Sequence, residues 1–122
     1  MYEKVSAWLD EVLKLDIPKE VAGFCFNLYE DGDGNWSVEL VGAERFDEQD
    51  EDWPCDEITD FDTRTEPLTW KGEYAWDRAL EEIRAALTKY LEKGKRAGIL
   101  QDRAGVGVGF VNGDVEILYV KR

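Results

Sequence analysis

The spacing of apolar residues changes twice along this chain from a helical period to an alternating one. Val5, Leu9 and Val12 follow one face of a helix, and from Val21 onward apolar residues alternate with other residues. Positions three or four apart share a helix face, whereas every second position shares a face of a strand. The same change recurs between Trp76 and the C-terminus. The chain must therefore combine helices with hairpins.

These patterns predict the element order α-β-β-β-α-β-β and a single α+β domain over residues 1–122. Two helices pack on a largely antiparallel sheet in this prediction, and the second helix carries acids early and bases late, as its dipole favours. The predicted elements are a helix at 2–15, a hairpin at 21–46, a strand at 58–65, a helix from Trp76 to Leu91 ended by Gly94 or Gly98, and a hairpin at 106–120 with its turn at 112–114.

Composition indicates a folded domain with an acidic surface. Hydrophobic residues make up 43% of the 122 residues, and the formal net charge is −13. Such a charge disfavours nucleic acid and anionic lipid, both of which need clustered Lys and Arg. The N-terminus lacks the basic start and apolar run of a secretion signal, and no apolar stretch is long enough to span a membrane. We therefore expect a cytoplasmic protein without a membrane or nucleic-acid partner.

An acidic segment, residues 47–62, carries nine carboxylates and no Lys or Arg, which is −9 of the −13. Trp53 and Phe61 lie among these acids, as aromatic anchors do in protein interfaces. The segment therefore predicts a docking face for a basic protein. Two simpler interpretations are a solvated loop, and a loop that Trp53–Pro54 pins to the core. The predicted partner-binding residues are Asp47, Glu48, Asp50, Glu51, Asp52, Trp53, Asp56, Glu57, Asp60, Phe61 and Asp62.

Two glycine-rich stretches resemble ligand sites only in part. Residues 31–37 begin like a calcium loop, but the sixth and twelfth positions are Trp36 and Gly42 instead of Gly and Glu. Residues 105–109 lack the Lys-Ser/Thr ending of a phosphate loop. Alternating glycines in a strand instead indicate a bulky ring close by, for which the aromatic residues of the second helix are candidates. We expect hairpins at both places, and no metal or cofactor.

Little in the sequence indicates catalysis. Histidine, the commonest general base, is absent from the chain. Cys25 falls in the middle of a predicted strand without an obvious activating partner, and a bond between Cys25 and Cys55 remains open. We therefore predict a non-enzymatic protein with no catalytic residue. A small enzyme using Asp and Glu, and a weak calcium or small-ligand binder, are the alternatives.

Two segments carry a resemblance to a known class of proteins. Residues 23–29, GFCFNLY, lead the first hairpin, and residues 108–117, VGFVNGDVEI, close the fold. In outline the whole chain resembles the immunity proteins of bacterial polymorphic-toxin and contact-dependent inhibition systems. The resemblance implies a cytoplasmic protein that blocks a cognate toxin, often a basic nuclease, by covering its active site. An adaptor domain for another basic protein is the alternative.

Overall fold

The computed structural model describes the backbone of residues 1–122 and every side chain except those of residues 59 and 60. It confirms an α+β fold with a mixed, mostly antiparallel sheet. The elements are α1 (Tyr2–Val12), β1 (Gly23–Gly32), β2 (Asn35–Ala43), a 3-10 turn (Trp53–Cys55), β3 (Glu57–Asp62), β4 (Leu68–Lys71), α2 (Trp76–Lys93), α3 (Ala97–Gln101), β5 (Gly105–Phe110) and β6 (Glu116–Val120).

The described strands form one six-stranded sheet in the order β3-β2-β1-β5-β6, with β4 also pairing with β2. All pairs are antiparallel except the central one, in which β1 and β5 run parallel from Gly23↔Gly105 to Leu28↔Phe110. A parallel pair needs a long crossover connection, and here that connection contains β2, β3, β4 and α2.

The two long helices, α1 and α2, pack on the sheet as predicted, and both lie on the same face. Val5 and Leu9 of α1 and Ile83 of α2 are fully buried in one core together with Phe24 and Val108 of the central strands. Gly94, one of the two glycines predicted to end α2, does end it, although its φ of −68° is not left-handed. A Cβ at Gly94 would instead meet the ring of Tyr90. Close packing therefore explains this glycine.

The opposite face of the sheet has a second, smaller core. Trp53 is completely buried there together with Val41 and Ala43, and Phe46 packs on it at a ring-centroid distance of 4.8 Å. Glycines leave room for these rings. A Cβ at Gly107 would lie 2.9 Å from Cζ2 of Trp53, which is too close for an unstrained contact. The sheet is therefore covered by helices on one side and by the segment between β2 and β3 on the other.

The structure corrects five details of the sequence predictions. The first helix ends at Val12, and the third strand is Glu57–Asp62. Strand β4 and the short helix α3 were not predicted. The rings that lie against Gly105 and Gly107 of β5 belong to Phe46 and Trp53, which lie between β2 and β3, and not to α2. The hairpin turn predicted at residues 31–35 is confirmed, with positive φ at Gly32, Asp33 and Gly34.

Candidate functional site

The structure contradicts the prediction that Trp53 and Phe61 anchor a partner. Trp53 is 0% exposed and Phe61 is 3% exposed. Phe61 packs edge-on against Phe24 in the core under the helices, whereas Trp53 belongs to the core on the other face. The two rings are therefore on opposite sides of the sheet and cannot form one docking face. Pinning of the loop to the core, the simpler interpretation, explains Trp53.

The acidic segment is folded around its own turns. Asp47 and Asp50 each accept a hydrogen bond from the backbone N–H two residues later, at 2.9 and 3.0 Å. Arg45 contributes from outside the segment: its guanidinium lies 2.9 Å from Asp50 and also pairs with Asp56. The backbone N–H of Asp52, and then Arg45, hold the pKa of Asp50 below its usual value. Arg45 thus links Asp50 and Asp56, which lie on either side of the 3-10 turn in the acidic segment.

A second arginine gathers the acids at the other end of the segment. Arg64 lies 2.6 Å from Glu57, 3.0 Å from Glu39 and 3.7 Å from Asp62. At the C-terminus, Arg122 reaches Glu48 at 3.5 Å. Three arginines from outside the segment therefore offset part of its formal −9, although Arg64 shares its charge with Glu39.

Glu39 is the buried centre of a polar network that the sequence analysis missed. Its side chain is 4% exposed, and it accepts hydrogen bonds from Tyr29 at 2.7 Å, Asn27 at 3.2 Å and Arg64 at 3.0 Å. Burial and then the bond to Glu39 raise the pKa of Tyr29 to about 12. A signal was present in the sequence, because Asn27 and Tyr29 alternate with the core residues of β1 and so share the opposite face.

This network lines a concavity of about 380 Å³ on the face of the sheet away from the helices. Its rim comes from the acidic segment, through Glu51 and Asp52, and from the β5–β6 turn. Both carboxylates are exposed. Neither forms an ion pair with a described cation, in contrast to Asp50, Asp56 and Glu57. The further lining residues are Cys25, Asn27, Tyr29, Pro54, Cys55, Glu57, Arg64, Gly109, Phe110, Val111, Asn112, Gly113 and Val115.

Both cysteines are free thiols in this concavity, Cys25 buried and Cys55 exposed. Burial, with nearby Cys55 and Glu39 adding to it, raises the pKa of Cys25 to about 12. A thiol with such a pKa is a poor nucleophile at neutral pH. Across the described side chains, no group of three His, Cys, Asp or Glu residues is arranged to hold a metal ion.

The predicted partner-binding residues therefore fall into four groups. Glu51 and Asp52, with Glu57, meet at the concavity, and Asp47 is exposed beside them in sequence. Asp50 and Asp56 form ion pairs with Arg45, Asp62 forms one with Arg64, and Glu48 forms one with Arg122. Trp53 and Phe61 are in the two cores. The side chain of Asp60 lies outside the described residues.

None of the described helices has the length and apolar character that crossing a bilayer requires. Comparison of the chain with known proteins finds no matching family model, no matching curated protein and no matching solved structure.

Proposed function

We propose that this chain is a non-catalytic protein that binds a basic protein through the concavity rimmed by Glu51 and Asp52. The observation that carries the proposal is that these two carboxylates are exposed and unpaired among the described side chains. They are exposed at the edge of a 380 Å³ concavity, and no described cation neutralises them. Arg64 also lines the concavity, but it is paired with Glu39 and Glu57. The carboxylates therefore outnumber the cations there, and such a surface attracts a positively charged partner.

The way in which the segment is folded supports binding by a preformed surface. Arg45 and the turns at Asp47 and Asp50 hold the acidic segment, and buried Trp53 attaches it to the sheet. A surface that is held in place loses little conformational entropy when it binds. The free charges of Glu51 and Asp52 are therefore presented on a backbone that needs no rearrangement.

For the class of partner, we propose a toxin of the kind that immunity proteins neutralise. Enzymes that cleave nucleic acids use Lys and Arg to hold phosphates. Carboxylates at the rim of the concavity would pair with those side chains in place of phosphates, and the bound chain would cover the active site. The absence of histidine and the raised pKa of Cys25 agree with a protein that blocks a partner by contact.

The test compares two double variants with the same change in charge. Glu51→Gln with Asp52→Asn removes the two rim charges, and Asp16→Asn with Glu20→Gln removes two exposed charges between α1 and β1. Each immobilised protein is exposed to lysate of the native host at low salt and eluted with rising salt. The eluted partner is then purified, and association is timed by stopped flow.

We expect the rim variant to associate about 3- to 10-fold more slowly at low salt, with a weaker dependence on salt, because electrostatic steering is lost. The control variant should match the parent. Equal association rates for the parent and the rim variant would refute the proposed site. The toxin class is tested by expressing the partner in bacteria: growth arrest that this chain relieves supports it, and a harmless partner points to an adaptor domain.

A further inference from the structure

An exposed tryptophan marks a second surface, at the start of α2. Trp76 is the first residue of this helix and is 59% exposed. Its ring packs edge-on against Phe110 at the end of β5, with ring centroids 6.1 Å apart. Phe110 in turn contacts buried Trp36 at 6.0 Å. A row of aromatic rings thus runs from the core to the surface and ends in an uncovered indole.

Beside Trp76 lies a groove of about 530 Å³, which we name the Trp76 groove. Trp76, Leu80 and Phe110 supply its apolar side chains, and Glu30, Asp114 and Glu116 supply carboxylates. Glu30 and Asp114 are exposed and form no ion pair with a described cation. Glu116 lies 3.5 Å from exposed Arg84, a contact that solvent screens. The groove is therefore apolar inside and negatively charged around its edge.

From this arrangement we infer that the Trp76 groove receives an apolar side chain of a basic protein segment. Lys or Arg on either side of that side chain pairs with Glu30, Asp114 and Glu116. Tryptophan at the centre of an interface contributes strongly to binding, because its large ring loses contact with water. This inference rests on the proposed function, since it supplies the aromatic anchor that Trp53 and Phe61 cannot supply.

Charge selects this occupant over the others that an apolar groove admits. A second copy of the chain, with net charge −13, would bring acids against acids. Nucleic acid and anionic lipid are repelled for the same reason. A basic segment with an apolar side chain would bury the ring of Trp76 and pair its cations with the carboxylates of the groove.

The Trp76 groove adjoins the concavity rimmed by Glu51 and Asp52. Phe110, Asn112 and Gly113 line both, so the two sites meet at the β5–β6 turn. A single partner can therefore reach the free carboxylates of the acidic segment and the exposed indole together. Steering would come mainly from the first site and slow dissociation from the second.

The test uses a synthetic amphipathic peptide of leucine and lysine, observed by NMR on the isotopically labelled chain. We expect shifts at the indole N–H of Trp76 and at the amides of residues 110–114. Peptides with serine in place of leucine, or glutamate in place of lysine, should not produce them. Trp76→Phe assigns the indole signal.

Two variants measure the contribution of the groove. Trp76→Ala should raise the dissociation constant of the peptide about tenfold or more. Leu15→Ala removes a side chain of similar exposure, 51%, that does not line the groove, and it should leave the dissociation constant unchanged. Glu30→Gln with Asp114→Asn should weaken the salt dependence, and it keeps the inference testable if Trp76→Ala folds poorly.

The inference is overturned if Trp76→Ala binds within about twofold of the parent. It is also overturned if the shifts fall on residues 51–57 and spare the groove, a result that would leave the proposed function standing. The proposed function fails separately, when the Glu51 and Asp52 double variant associates with its partner as fast as the parent does.

Discussion

Replacing Trp53 by alanine should cost the fold a large part of its stability. Trp53 is completely buried between the sheet and its own loop, with Gly23 and Gly107 under its ring. A buried tryptophan removes about 150–250 Å² from water, which corresponds to about 4–6 kcal/mol at ~25 cal/mol per Å². Measured truncations of large aromatic residues cost about 3–5 kcal/mol.

One feature of the site reduces this cost. Within the described side chains, the buried Nε1 of Trp53 has no hydrogen-bond partner. An unsatisfied buried donor costs about 1–3 kcal/mol, and alanine removes that donor together with the ring. We therefore expect Trp53→Ala to lower the free energy of unfolding by about 3 kcal/mol. Trp53→Phe should lose about 1 kcal/mol or less, because it keeps a ring and removes the unpaired N–H.

Urea unfolding followed by circular dichroism measures the difference. With a denaturant slope of about 2 kcal/mol per molar, a loss of ~3 kcal/mol lowers the midpoint by about 1.5 M. Trp76→Ala is the matched control: the same side chain is removed, but it is 59% exposed, and its midpoint should fall by less than about 0.5 M. Equal midpoints for the two alanine variants would refute the assignment of Trp53 to the core. Faster dissociation of a partner from Trp53→Ala, with stability unchanged, would restore it as an anchor.

Two further predictions concern the polar network around Glu39 and the close contact between Gly107 and Trp53. Since the pKa of Tyr29 is raised from 10.0 to about 12, its contribution to the free energy of unfolding is complete below about pH 10 and is lost as pH rises toward 12. Glu39→Gln should move the tyrosinate absorbance transition of Tyr29, identified by its loss in Tyr29→Phe, to lower pH; an unmoved transition contradicts the role of Glu39. Gly107→Ala should cost about 1–3 kcal/mol, because the new Cβ would lie 2.9 Å from the ring of Trp53 and 2.8 Å from Val115. The cost should shrink in a Trp53→Ala background, so strictly additive losses in urea would argue against the contact.

The sequence was sufficient to predict the elements whose pattern is local. Alternation in β1 and β2, the Asn112–Gly113 turn and the long apolar stripe of α2 each depend on neighbours within a few residues. Strand β4 has only four residues, Leu68–Lys71, and pairs with β2 over residues 35–38. So short a run gives no period, and its partner is distant in sequence. The parallel pairing of β1 with β5 likewise has no local signature.

The site was harder to predict because burial decides the role of an aromatic residue. Trp53 and Phe61 share a run of acids, yet one ring fills each core. Trp76 shows the reverse: the helical period groups it with Ile83 and Tyr90, but its position at the start of α2 leaves it exposed. The acids also divide according to arginines outside the run. Arg45 and Arg64 neutralise some, and Glu51 and Asp52 stay free.

The parallel pairing of β1 with β5 has a consequence for how the protein is made. Strand β5 leaves the ribosome long after β1, and until it does, β1 presents an unpaired edge that includes Phe24 and Phe26. Open edges of apolar strands associate with other chains. A stop codon before Gly105 should therefore give insoluble protein rather than a shorter binder.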